Sequence, residues 1–132
     1  MSDKKWNSVR EEVFKRDDYT CQYTLWLRYN EKFLWAMLMS EIGAGFQETI
    51  VPAHIFGKGE HHPLKYDPDN VITLAHVVHQ RLDTYRHPVR PHQSITGEER
   101  REIFLILLPP DRRERLLLKR RSIYENTQRP DC

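Results

Sequence analysis

Three residues in the middle of the chain have the types and spacing to share one piece of chemistry. His54 closes a β-branched run, Asn70 stands 16 residues later before a second short apolar run, and His79 follows nine residues after that. Imidazole can exchange a proton near neutral pH and can also ligate a metal. An asparagine between two such groups can fix a loop through backbone hydrogen bonds. If the first two segments pair as a hairpin and the third packs on it as a helix, the three side chains converge on one small volume. One imidazole then acts as a base and the other as a ligand for a hard divalent cation. That combination suits phosphodiester hydrolysis, where water is deprotonated while charge builds on phosphate oxygens. Histidine is concentrated here: all seven (His54, His61, His62, His76, His79, His87 and His92) fall in this part of the chain.

The flanking sequence supplies the elements such a site needs. Residues 7–16 read as a helix, with Ser8 and Glu11 as a capping box and Val9 and Val13 on one face near Trp6 and Phe14. A buried helix is predicted over Leu25 to Met39, where Trp26, Tyr29, Phe33 and Met37 repeat at helical spacing. This stripe could stack bases, but core packing is the better reading. Residues 47–55 and 71–74 read as strands and are separated by a loop rich in Gly, Pro and Asn. A helix from about Ala75 to Tyr85 should follow, closed before His87-Pro88. Two more complete the chain. Thr96 and Glu99 cap one, which turns Ile103, Phe104 and Leu107 inward. Asp111 and Glu114 cap the other, with Leu116, Leu117, Ile123 and Tyr124 on one side.

Composition bounds the rest. The 132 residues suit one domain, and 39% hydrophobic with 30% charged residues is ordinary for a soluble globular chain. A net charge of +2 excludes a strongly basic tail but not a local basic patch. No apolar run is long enough for a membrane span, and the charged N-terminus has no signal stretch, so no membrane association is expected. Two cysteines, Cys21 and Cys132, make no disulfide framework, so a reducing cytoplasm is expected. Phosphate-loop, dinucleotide-binding and zinc-protease motifs are absent from the sequence.

With these residues in place, the chain resembles the HNH endonuclease family, with its ββα-metal fold, and is similar to its small phage and prophage members. The resemblance rests on His54, Asn70 and His79 in order, on Ala53-His54-Ile55, and on KYDPDNVITL (Lys65 to Leu74). Upstream, VREEVFKRDDYTCQY (Val9 to Tyr23) carries it further. It covers residues 6–23 and 50–88. The implied fold is α+β: a two-stranded antiparallel hairpin plus helix at about 47–88, surrounded by N-terminal and C-terminal helices, the latter as an extension over about 96–125. The implied roles are general base for His54, loop-fixing asparagine for Asn70 and metal ligand for His79. The cofactor would be Mg²⁺ or another divalent cation (Mn²⁺, Ni²⁺ or Zn²⁺), and the products would end in 3′-hydroxyl and 5′-phosphate. The plainer readings are a hydrogen-bonded core histidine, a turn residue after Asp67-Pro68-Asp69 and a helix-surface histidine; the motif context favours the site roles.

The sequence departs from the family in two places. Many members carry an acid or a second histidine immediately before the base as another metal ligand, where this chain has Ala53. His76 and Asp83, three before and four after His79, could face the same side of a helix and supply it. Members also often hold structural zinc with two C-x-x-C pairs. Here Cys21 is joined by Thr24, Ala75 and Val78, so no structural zinc is expected and a packed core, fed by segment 25–39, should stand in its place. The expected partner is DNA, met mainly through its backbone by Lys58, His61, His62, Arg81, Arg86 and Arg90. The run Arg112 to Arg121 reads as a solvent-facing amphipathic helix, with a second DNA-facing surface as the other choice.

Two functions remain in play. One is a metal-dependent DNA endonuclease in the cytoplasm of a bacterial or phage-infected cell. The other is a catalytically weak or inactive DNA-binding or partner subunit of a phage packaging or recombination complex. A homodimer or a protein partner is left open by the sequence.

Overall fold

The computed structural model describes residues 3–42, 49–57 and 62–128, with side chains through Ile123. Lys58 and His61 of the expected DNA-contacting set lie outside the described residues, as does the side chain of Tyr124.

Helix α1 (Lys4–Arg16) begins a turn earlier than the Ser8–Glu11 box suggested. The Asp3 carboxylate accepts the Trp6 N–H at 3.1 Å and caps the helix, which leaves Ser8 inside it. Trp6, Val9 and Val13 then share a face, and Val9 and Val13 are buried against Val71. The helix stops at Asp17, after which Asp18 and Tyr19 take left-handed backbone conformations (φ 54° and 51°).

The single helix expected over 25–39 is two: α2 (Gln22–Asn30) and α3 (Lys32–Ile42). Glu31 breaks them with φ −141° and ψ 70°. The neighbouring Asn30 amide donates to the Trp26 carbonyl at 2.9 Å, a side-chain bond that competes with continued helix. Because the helix breaks, the Trp26–Tyr29–Phe33–Met37 stripe does not form one core face. Tyr29 and Phe33 are each 74% exposed, while Leu27 and Leu38 carry the buried contacts.

Strands β1 (Ile50–His54) and β2 (Val71–Ala75) pair antiparallel, with Ala53 opposite Ile72 and His54 opposite Val71. Helix α4 (His76–Asp83) follows β2 directly. An α+β arrangement of hairpin plus helix is therefore present. Every residue of β2 is buried, because α1 covers one face of the hairpin and the main core the other. This explains why VITLA is uniformly apolar or small instead of alternating.

Helix α5 (Gly97–Ile106) starts with the expected capping box, Thr96 and Glu99 exchanging two 3.0 Å hydrogen bonds. Helix α6 (Pro110–Gln128) begins at Pro110, which fits the first turn because it has no N–H to satisfy, so Asp111 is inside the helix and does not cap it. Phe104 and Leu116 are fully buried in the main core with Val78 and Leu82 of α4. Leu117, expected inward, is exposed.

Candidate functional site

Asn70 is the most fully satisfied polar residue of the region. It ends a 3₁₀ turn (Pro68–Asn70) and is wholly buried. Its Oδ1 accepts the Phe56 N–H at 2.9 Å, and its Nδ2 donates to the carbonyls of Phe56 (2.9 Å) and Leu64 (3.2 Å). One amide thus ties the backbone just past β1 to the far side of the loop. Gly57 belongs to the same device: its φ is +65°, and a Cβ there would lie 2.1 Å from the His62 ring.

His54 stands at the mouth of this loop. Its Nε2 lies 2.9 Å from the Lys65 carbonyl oxygen. A carbonyl can only accept, so Nε2 carries the proton, and in the neutral ring Nδ1 holds the lone pair. The ring stacks on Trp6 of α1, with centroids 4.9 Å apart and planes 19° from parallel. The hydrogen bond sets the tautomer and the stack sets the ring plane. Together they fix the tautomer and the orientation of the ring, with Nδ1 carrying the lone pair.

His79 sits on α4, partly exposed, with Nε2 3.2 Å from Asp83 Oδ2. The other Asp83 oxygen takes the Arg100 guanidinium at 3.2 Å, and Arg100 also reaches the Ile55 carbonyl at 3.5 Å. Through Arg100, the His79–Asp83 pair is connected to the residue beside His54. The two imidazoles nonetheless start from different layers. Ala53 is buried in the core that includes Val78 and Leu82 of α4, whereas His54 lies against α1. Successive strand residues point to opposite faces, so His54 leaves β1 on the face away from Ala53 and that core. Of the two candidate second ligands, Asp83 is beside His79, while His76 is exposed.

Among the described residues no group of three His, Cys, Asp or Glu side chains is placed to hold a metal ion. The donor set of His79 and Asp83, one imidazole and one carboxylate in contact, still fits a hard cation that keeps most of its water and takes substrate oxygens, the habit of Mg²⁺. Ala53 adds nothing to it, being fully buried.

Of the four positions that the resemblance relates to zinc cysteines, three lie in the core, while Thr24 is only partly buried and lines a cleft with Cys21 and Ala75. Cys21, Ala75 and Val78 share one buried cluster, and the Cys21 thiol caps α2 by accepting the Thr24 N–H at 3.5 Å. Trp35 and Leu38 of α3 pack on the same cluster, as expected of segment 25–39.

Most of the loop's external support was missed from sequence. Arg16 donates to the carbonyls of Pro68 and Val71, both at 2.7 Å, and pairs with the buried Asp17. Asp17 Oδ2 accepts the Thr73 N–H at 3.0 Å. From the other end of the chain, Arg115 and Lys119 of α6 grip Asp69 at 3.1 and 2.8 Å, and Lys119 also reaches Asp67 at 2.8 Å. The run Arg112 to Arg121 is therefore not a free solvated face; Arg112 is buried and its neighbours clamp the Asn70 turn. Charge alternation alone could not reveal this, since the partners are some 50 positions away.

Burial pushes the Asp69 carboxyl up, but hydrogen bonds from Arg115 and Lys119, with their charges, outweigh it and bring the group down to about 2. A depressed carboxylate stabilises the fold above its unfolded pKa, near 4, and that contribution disappears as pH falls toward 2. Asp69→Asn should therefore melt lower than the parent at pH 7, by about 1–2 kcal/mol of stability after solvent screening, with the difference vanishing between roughly pH 4 and 2. Thermal melts of both proteins across that range measure it.

The expected DNA-contacting residues fare unevenly. Arg81 is engaged with Glu41 and the Pro88 carbonyl, so it holds α3 and the following loop to α4. Arg86 lies exposed near Ser94, and Arg90 is partly buried beside His87. The His62 Nδ1 accepts the Leu64 N–H at 3.1 Å. Lys5 and Lys65, not singled out from sequence, both lie over the Tyr66 ring, next to the residues that hold His54. No family model, curated protein or solved structure matches this chain.

Proposed function

We propose that this chain is a metal-dependent DNA endonuclease of the HNH type, hydrolysing phosphodiester bonds with His54 as general base. The observation that carries this reading is the His54–Lys65 contact, which fixes the tautomer and leaves Nδ1 as the free lone pair. The Asn70 bonds hold the loop that supplies that carbonyl, and this matches the role the resemblance gives to Asn70. His54 takes a proton from water, the resulting hydroxide attacks phosphorus, and the 3′-oxygen leaves. Lys5 and Lys65, both over the Tyr66 ring, would meet the incoming phosphate backbone. His79 and Asp83 would hold the cation, which when bound stabilises charge on the departing oxygen. Supercoiled plasmid should be nicked with Mg²⁺ or Mn²⁺, and EDTA should abolish the reaction. Absence of nicking under every divalent cation would overturn the proposal.

One observation favours a second reading. Ala53 is fully buried where the family often presents a second ligand. A site with that wall closed suits a DNA-binding or partner subunit with little activity of its own. Such a chain would bind duplex with undiminished affinity and cut nothing.

A further inference from the structure

Beside the loop that follows β1, an open cleft of about 310 Å³ lies between that loop, α5 and α6. Its charged walls are Arg100, Arg101 and Arg120, with His62 on the loop side. Arg100 is 9% exposed, and its Nε has no hydrogen-bond acceptor despite being buried. Among the described residues its terminal nitrogens meet the Asp83 carboxylate and, at 3.5 Å, the Ile55 carbonyl, and the guanidinium lies over the Phe104 ring at 4.7 Å. A buried guanidinium with an unused donor is costly, because the lost water is not replaced. Arg101 and Arg120 form no ion pair among the described residues, and Arg120 is held over the Phe56 ring at 4.7 Å. Since His62 Nδ1 accepts the Leu64 N–H, the neutral ring carries its proton on Nε2 and is a further donor.

Three guanidiniums and an imidazole N–H therefore border one space, and among the described residues the carboxylate paired with them is Asp83, which also meets His79. Such a set selects an oxyanion. Forks converging from α5 and α6 suit a tetrahedral group with several free oxygens better than a planar carboxylate with two. Gly57 lets the backbone approach His62 closely on the facing wall, since a Cβ there would lie 2.1 Å from the ring.

We propose that this cleft binds a phosphate of the DNA backbone next to the one that is cut. The substrate class rests on the nuclease reading; the anion site itself does not. The α5–α6 extension would then do more than brace the core, because it contributes the three arginines.

The test uses the full chain, Arg101→Ala/Arg120→Ala, and the charge-keeping Arg101→Lys/Arg120→Lys. Anisotropy of a labelled duplex is followed from about 50 to 200 mM salt, with inorganic phosphate as competitor and thermal melts as a control on folding. The alanine pair should weaken duplex binding roughly 10- to 100-fold and flatten the log K against log [salt] slope by about 2, while the lysine pair keeps most of the slope. Inorganic phosphate should compete with duplex on the parent chain and lose that competition in the alanine pair. An unchanged slope and affinity in a folded alanine pair overturns the site. Loss of inorganic phosphate binding with an unchanged duplex slope overturns the backbone assignment, leaving a site for free phosphate. A parent chain that binds with the full slope but never nicks plasmid sinks the nuclease reading alone.

Discussion

His54→Ala should lower plasmid nicking by about 10³-fold while leaving duplex affinity and melting temperature close to those of the parent chain. The size follows from what the ring supplies: a positioned acceptor for the water proton, in an orientation set by Lys65 and Trp6. General-base removal typically costs 10² to 10⁴ in rate, and this base is held in one tautomer and one plane. The stability cost should be small. His54 and Lys65 are both only partly buried, so losing the contact between them should cost little. His54→Gln is the informative companion, because its amide can still donate to Lys65 but offers no basic nitrogen. Both variants should show the same loss in kcat/KM; a glutamine variant that cuts at the parent rate would remove His54 from the mechanism.

What the sequence made legible divides by distance along the chain. The hairpin, the helix after it and the α5 cap are written in local signals: a β-branched run, a glycine- and proline-rich loop, and Thr96 followed by Glu99. Asn70 was legible for the same reason, since a turn residue's bonds stay near its own loop. The two-helix break at Glu31 was not, because it depends on Asn30 bonding back to Trp26 within otherwise continuous helical spacing. Nor were the clamps. Arg16, Arg115 and Lys119 look like ordinary surface charges until folding brings α1 and α6 to opposite ends of one short turn. The stack of Trp6 on His54 was equally hidden, joining residues from the two separate segments of the resemblance. Nothing in the spacing told Asp83 from His76 as the neighbour of His79; the i, i+4 step put the carboxylate within 3.2 Å.

The clamps indicate where the fold concentrates its polar bonding. Arg16 and Asp17 secure the β2 side of the turn, and α6 secures its acidic side. Individually such partly exposed pairs are worth little, but as a network they restrict the one segment whose movement would misplace the Lys65 carbonyl. A ring oriented by a backbone carbonyl is only as well placed as the loop that carries it. This is how the extension, although remote in sequence from His54, bears on the placement of that ring.

Replacing Asn70 should therefore have the largest structural effect of any single change in the site. Asn70→Ala removes one acceptor and one double donor from a position with no solvent access, orphaning the Phe56 N–H and leaving the Phe56 and Leu64 carbonyls without this partner. Each unsatisfied buried group costs about 1–3 kcal/mol, so the expected loss is about 3–5 kcal/mol, enough to unfold a marginal domain. Asn70→Asp discriminates between loss of volume and loss of donors. It keeps the shape and the bond from Phe56 N–H but turns a carboxylate oxygen toward two carbonyls, so it should be nearly as damaging at neutral pH. Chemical denaturation of both variants gives the stability directly, and hydrogen exchange at Phe56 reports whether the loop opens first. If either variant retains the parent's stability and the slow exchange of Phe56, the amide is not what closes the loop, and the Lys65 carbonyl must be held by the Arg16, Arg115 and Lys119 contacts instead.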